Sequence, residues 1–232
     1  MHSHTEYVLT LTAAPGQAVA QRAYDLVWRF DFTAPGFCVL DAGAVDSHTL
    51  RAWMAHLKRL LSEISERRTG KPFLFRSMAR FDQQETTKFH LDGAPDQSML
   101  MLGYEPSQVQ SRLFLGDYTR AAFDLRITPQ QFLQDYNPMF RKGEEHLARY
   151  ATELPQPEPG HARILLINNS SLAYSEARTN PLGVMHKAII VTPDEAKRRI
   201  VNSTMLVTEG GEIAAETQEE FVVTDKISQK NY

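Results

Sequence analysis

The 232-residue chain contains one cysteine, Cys38. That excludes an internal disulfide framework and any cysteine-rich zinc site, and it fits a reducing compartment. Cys38 lies in the apolar run 36–40 and reads as a small buried hydrophobe, not a nucleophile. Long hydrophobic runs are also missing: nothing is long enough to span a bilayer, and residues 1–6 lack the basic and apolar regions of a signal peptide. A soluble, cytoplasmic protein without a membrane partner is expected. Net charge is only −3 and there is no long basic tract, so nucleic acid is not expected as a general partner. Internal repeats and low-complexity segments are absent, which sets repeat architectures aside.

What is present suits one domain spanning 1–232, since a chain of this length can bury a substantial core. Leu50, Trp53, Met54, Leu57, Leu60, Leu61 and Ile64 recur at helical spacing, with Asp46 as N-cap and Gly70 as stop. Arg67, Arg68 and Lys71 complement the negative end of that helix. Strands are predicted at 6–12, 37–40, 73–81, 98–102 and 162–167, and a helix over about 15–28. We divide the chain into a supporting segment 1–72, a core 73–207 and a C-terminal extension 208–232. Within the core, an insertion over about 128–151 opens on Thr128-Pro129-Gln130-Gln131, a capping box with proline at the first helical position. A second helix is predicted from about 139 to 150, and the pair could act as a lid or as a structural plug. The sum is a β-rich core with helices packed on one side.

The chemistry-bearing residues are few. The β-prone stretch 86–92 reads as a strand that stops at the turn 93–95; His90 and Asp92 within it are separated by one residue, so they project to the same face and could hold one metal ion. His186, in a second β-prone segment, would be the third ligand. Two imidazoles and a carboxylate on one face of an octahedral ion leave three positions open, which suits non-haem Fe(II) and O₂. The segments 183–191 and 197–207, separated by Pro193, read as an antiparallel hairpin that returns Arg198 or Arg199 toward His186. A guanidinium there could take a carboxylate in two parallel hydrogen bonds. Five other histidines read as ordinary: His48, His56 and His146 lie on helices without ligand-spaced partners, and His2 and His4 sit at a frayed terminus.

The order H-x-D, distant H, then R, carried by His90, Asp92, His186 and Arg198 or Arg199, resembles the 2-oxoglutarate-dependent Fe(II) oxygenase superfamily. The resemblance covers about 73–207 and implies a double-stranded β-helix, the jelly-roll or cupin-like architecture. It implies Fe(II), 2-oxoglutarate and O₂, with His90, Asp92 and His186 as metal ligands and an arginine on the co-substrate's distal carboxylate. Arg199 is preferred because Ser203 shares its face, where the family often places a hydroxyl; Arg198 would bring Asn202. Tyr104 falls at a strand end where family members also place a hydroxyl near the co-substrate. The presence of Asp92 argues against the halogenating branch, in which a small residue stands there.

The implied activity is hydroxylation of a small organic or amino-acid-like substrate, with 2-oxoglutarate decarboxylated to succinate. Arg76 and Arg80, on one face of a strand beside the ligand strand, lead us to expect an acidic group on that substrate, or else a carboxylate of the protein itself. Asn168, Asn169, Ser170 and Ser171 end a strand and begin a loop to Pro181 that is expected to border any substrate opening. Two other readings stand beside this one: a cupin-type metalloenzyme that does not use 2-oxoglutarate, and a non-catalytic jelly-roll binding protein.

Overall fold

A computed structural model describes residues 4–209 and 217–228. In chain order the elements are α1 (His4–Tyr7), β1 (Val8–Thr10), α2 (Gln17–Val27), β2 (Phe37–Gly43), α3 (Ser47–Thr69), β3 (Leu74–Asp82), β4 (Ser98–Tyr104) and β5 (Ser111–Gly116). They continue with α4 (Tyr118–Asp124), α5 (Pro129–Asp135), α6 (Arg141–Leu147), a 3₁₀ turn (Ala148–Tyr150), β6 (Ala151–Glu153), β7 (Ala162–Asn168), β8 (Met185–Ile190), β9 (Ile200–Val207) and α7 (Gln218–Val223). Two sheets result, a six-stranded one ordered β1-β2-β7-β4-β9-β3 and a three-stranded one ordered β6-β5-β8.

The antiparallel pairings are nested. β3 pairs with β9, β4 with β7, and β5 with β6, so early and late strands match from the outside inward. Between β3 and β4 the segment carrying His90 meets β8 through the bridge His90↔His186. Cross-pairs β4·β9 and β5·β8 join the nested hairpins into sheets. Strands β1 and β2, from the segment before Phe73, extend the large sheet beyond β7.

Alternation assigns the faces. On β4, Leu100, Leu102 and Tyr104 point into the space between the sheets and meet Leu113, Leu115 and Ala188 of the small sheet. Met99 and Met101 point the other way, onto Leu50, Met54, Leu57 and Leu61 of α3. With both faces covered, every residue of β4 is buried. At Gly103 a Cβ would lie 2.3 Å from the Met54 sulfur, so any larger residue there would have to displace that side chain. Helix α3 starts and stops where its sequence says: the Asp46 carboxylate accepts from the Thr49 amide at 2.7 Å, and Gly70 closes it at φ 75°.

Several expectations need correction. Residues 86–92 do not form a strand. The hydroxyls of Thr87 and Thr86 accept from the amides of Ala188 and Ile190, at 2.9 and 3.0 Å, in place of the carbonyls a ladder would use. Only at His90 does reciprocal backbone pairing occur. β8 and β9 are not a hairpin, because they lie in different sheets and the break around Pro193 carries the chain from one to the other. The predicted first strand is split into α1 and the short β1, and the second insertion helix spans only Arg141–Leu147 before the 3₁₀ turn. At the start of the loop that runs to Pro181, Asn168, Asn169 and Ser170 are buried. His2 and the His4 side chain lie outside the described residues. No helix of the described residues is long and apolar enough to cross a membrane.

Candidate metal centre

His90, Asp92 and His186 converge. Each offers one ligand atom, and the three atoms lie within 4.8 Å of one another. Asp92 Oδ1 is 3.4 Å from His90 Nε2 and 3.8 Å from His186 Nε2, and the two rings are 4.2 Å apart, centroid to centroid. Neighbouring ligands on one face of an octahedron with bonds of ~2.1 Å are about 3 Å apart, so a small inward adjustment would bring all three atoms onto one ion.

The protonation states suit ligation. His90 Nδ1 sits 2.7 Å from the Lys88 carbonyl, which can only accept, so Nδ1 carries the hydrogen and the Nε2 lone pair faces Asp92. Burial, reinforced by His90 nearby, pushes the His186 imidazole down to about 4 against the pull of Asp92. It is therefore neutral at pH 7 and its nitrogen is available to a metal. His186 Nδ1 is buried with no hydrogen-bond partner among the described residues. On donor chemistry, spacing and charge, the residues fit a divalent iron ion.

Two devices hold the ligands. The Asn169 carboxamide donates to the Asp92 carbonyl and accepts from the Asp92 amide, both at 2.9 Å, so a side chain replaces a strand partner where the ladder is missing. Its Nδ2 also reaches Ser98 Oγ at 3.1 Å. On the other flank, Glu144 of α6 bonds both Lys88 and Lys187, the residues beside the two histidine ligands. Phe89 and Met185 pack with Tyr118, Phe132 and Leu147, which anchors the ligand segments to the helical insertion.

The triad opens on a cavity of about 190 Å³ lined by Gln83, Leu102, Tyr104, Leu113, Leu115 and Val201, among others. Tyr104 is shared with a larger cavity of about 690 Å³ that Arg199 also lines. Arg199 is 3% exposed and faces inward. Its Nε donates to Ser111 Oγ at 3.0 Å and its Nη1 to the Gln83 side-chain oxygen at 2.6 Å, while Nη2 has no hydrogen-bond partner among the described residues. The guanidinium carbon lies 5.0 Å from the Tyr104 ring centroid. Burial pulls the Arg199 pKa down and raises that of Tyr104, which stays a neutral phenol at pH 7. A buried guanidinium with a free donor fits a carboxylate ligand. Arg198 is exposed and offers the site nothing but its carbonyl, bonded by Ser107. Ser203 is half-buried on β9 with the parity of Arg199, but it does not line the triad cavity.

Arg80 and Arg76 are not at this site. Arg80 crosses to the α3 side of the large sheet, where its Nε and Nη2 bond the Glu105 carboxylate at 3.2 and 3.3 Å. The carboxylate of the protein, not of a substrate, satisfies it. Arg76 falls at the irregularity between Phe75 and Ser77, which breaks the alternation that had placed it with Arg80. Composition gave no signal for Gln83, Glu144 or Arg163, whose importance depends on long-range pairing. Asn169 could be named from sequence, but not its bonds to Asp92.

No family model matches the chain, and no curated protein does. Similar solved structures include asparagine oxygenase, AsnO, at 14% identity and a TM-score of 0.45, covering 88% of this chain and 93% of that one. Another is the iron and alpha-ketoglutarate-dependent endoperoxidase NvfI, at 15% identity and a TM-score of 0.41, covering 90% and 96%. Likeness this distant leaves the functional reading to the site itself.

Proposed function

We propose that the protein is an Fe(II)- and 2-oxoglutarate-dependent oxygenase that hydroxylates a small organic or amino-acid-like substrate. The observation that carries this reading is the convergence of His90 Nε2, His186 Nε2 and Asp92 Oδ1 on one wall of a cavity. Nested pairing of the strands supports a double-stranded β-helix, in which the triad lies on the small-sheet side and Arg199 just before β9 of the large sheet.

In this reading His90, Asp92 and His186 hold Fe(II), and Arg199, held by the Gln83 side-chain oxygen, receives with Tyr104 the distal carboxylate of 2-oxoglutarate. The bound iron supplies O₂ activation coupled to decarboxylation of 2-oxoglutarate to succinate. The chain's part is positioning and exclusion of water. Asn169 and the Lys88 carbonyl fix the orientation of Asp92 and His90, and Leu102, Leu113, Leu115, Leu165 and Val201 make the cavity wall apolar. Anaerobic addition of 2-oxoglutarate to the Fe(II)-loaded protein tests the reading. A weak visible charge-transfer band is the expected result. Iron binding without the band would favour the cupin-type alternative, and binding of neither would leave a non-catalytic β protein.

A further inference from the structure

Arg163 of β7 stands directly across from Tyr104 in the β4–β7 register, so the two side chains share the inner face of the sheet. Arg163 is 6% exposed and lines the same 690 Å³ cavity as Tyr104 and Arg199. Its guanidinium carbon is 5.3 Å from the Tyr104 ring centroid, against 5.0 Å for Arg199, so one phenol ring contacts two cations.

Acidic groups lie nearby, Asp41 opposite Arg163 in the β2–β7 register and Asp82 Oδ1 accepting from the Arg199 amide, but neither closes an ion pair with a guanidinium. Arg163 Nη1 donates to the Pro155 carbonyl at 2.9 Å and its Nε has no partner among the described residues; Arg199 has three neutral acceptors and interacts with the neutral Tyr104 hydroxyl, and its Nη2 has no hydrogen-bond partner among the described residues. No carboxylate among the described residues forms a salt bridge with either one. Tyr104 cannot supply the charge, since burial keeps it protonated. Two buried guanidiniums near each other, each with a free donor, are costly without an anion between or beside them. The protein's other buried arginines do not share this condition: Arg29 bonds Asp117 at 2.6 Å, and Arg51 lies 3.6 Å from Glu105.

We propose that Arg163 is a second guanidinium contact for the carboxylate that Arg199 receives, so that the cavity beside Tyr104 is a two-arginine seat selecting a carboxylate-terminated ligand. Identification of that ligand with 2-oxoglutarate rests on the function proposed above. The seat itself rests on the burial, on the absence of a salt bridge to either guanidinium among the described residues, and on the orphaned donors. A ligand gripped from two β-strands, β7 and the approach to β9, would also stitch together two strands separated by β4.

The test is calorimetric titration of the Mn(II)-loaded protein with 2-oxoglutarate and separately with succinate, in the parent and in Arg163→Met. Loss of one charge-assisted contact is expected to weaken 2-oxoglutarate binding about 10- to 100-fold, with Mn(II) affinity unchanged. In the unaltered protein, the Arg163 Nε–Hε resonance is expected to shift on saturation with the same ligand, which removes any dependence on the variant folding. If succinate binds in an Arg163-dependent way but 2-oxoglutarate does not, the seat stands and the co-substrate reading fails. Parent-like 2-oxoglutarate affinity in Arg163→Met, or an unmoved Arg163 resonance in the saturated parent, would overturn the proposal, as would a parent that binds neither acid.

Discussion

The side chain of Asn169 is hydrogen-bonded to the backbone of Asp92 in both directions, amide to carbonyl and carbonyl to amide, each at 2.9 Å. It does for the carboxylate ligand what the bridge to His186 does for His90. Replacing Asn169 with alanine removes both bonds and leaves the Asp92 amide and carbonyl without these partners, at a cost of about 2 kcal/mol in stability. Mn(II) affinity is expected to fall about 10- to 100-fold, the range typical of residues that orient metal ligands. Metal titration and thermal melting of Asn169→Ala check this, and unchanged affinity would mean that Asp92 is positioned by other contacts.

Glu144 links the insertion to both ligand segments through Lys88 and Lys187. The hydrogen bond from Lys187 holds its carboxyl below the ordinary glutamate value despite partial burial, and Lys88 adds to this. A carboxyl depressed in the folded state contributes stability that is fully present above the unfolded pKa of about 4.3 and is lost as pH falls through the folded value. The stability difference between the parent and Glu144→Gln is therefore expected to be about 1 kcal/mol at pH 7 and to vanish in acid. Denaturant unfolding at a series of pH values measures it, and a pH-independent difference would show that the carboxylate charge plays no part.

Glu105 is the anionic centre of a cluster on the far side of the large sheet. It accepts from Ser47, Arg80 and Asn202, and Arg51 is 3.6 Å away. Glu105→Ala strands Arg51, which is 1% exposed, and is expected to cost about 3 kcal/mol. Arg80→Ala is expected to destabilise the fold while leaving Mn(II) and 2-oxoglutarate affinities within about twofold of the parent, because the cluster shares no partner with the triad. A large loss of ligand binding in Arg80→Ala would return that arginine to the site.

Gly183 lies just before β8, and a Cβ there would be 1.9 Å from the Ser170 carbonyl oxygen. That oxygen also accepts the Tyr118 hydroxyl at 2.9 Å, so it is not free to retreat. Gly183→Ala is expected to cost about 3 kcal/mol, or about 6–12 °C in melting temperature, and to weaken metal binding by displacing His186. Scanning calorimetry and metal titration of this one variant give both readouts.

Local signals in the sequence were read correctly where the deciding atoms are close along the chain. Asp46 and Gly70 bound α3 because their roles involve only residues within one turn. The H-x-D pair needs only the short reach from His90 to Asp92. Long-range features were less legible. Thr86 and Thr87 have strand-forming side chains, but their hydroxyls replace the ladder, and nothing local distinguishes those two uses. The apolar segments either side of Pro193 read as a hairpin, whereas each pairs with strands 69 or more residues upstream, β8 with β5 and β9 with β3 and β4. One irregular residue in β3 sufficed to separate Arg76 from Arg80. Arg163 lies in a run whose other residues from Ile164 to Ile167 are apolar, which hid a buried cation inside what read as plain core strand.

The central claim is that His90, Asp92 and His186 bind one metal ion together. Anaerobic equilibrium binding of Fe(II), with stoichiometry read per chain, tests it in the parent and in His186→Ala. The account requires one ion per parent chain and loss of stoichiometric binding in a His186→Ala protein that still folds. A folded His186→Ala protein retaining one tightly bound ion per chain would contradict it.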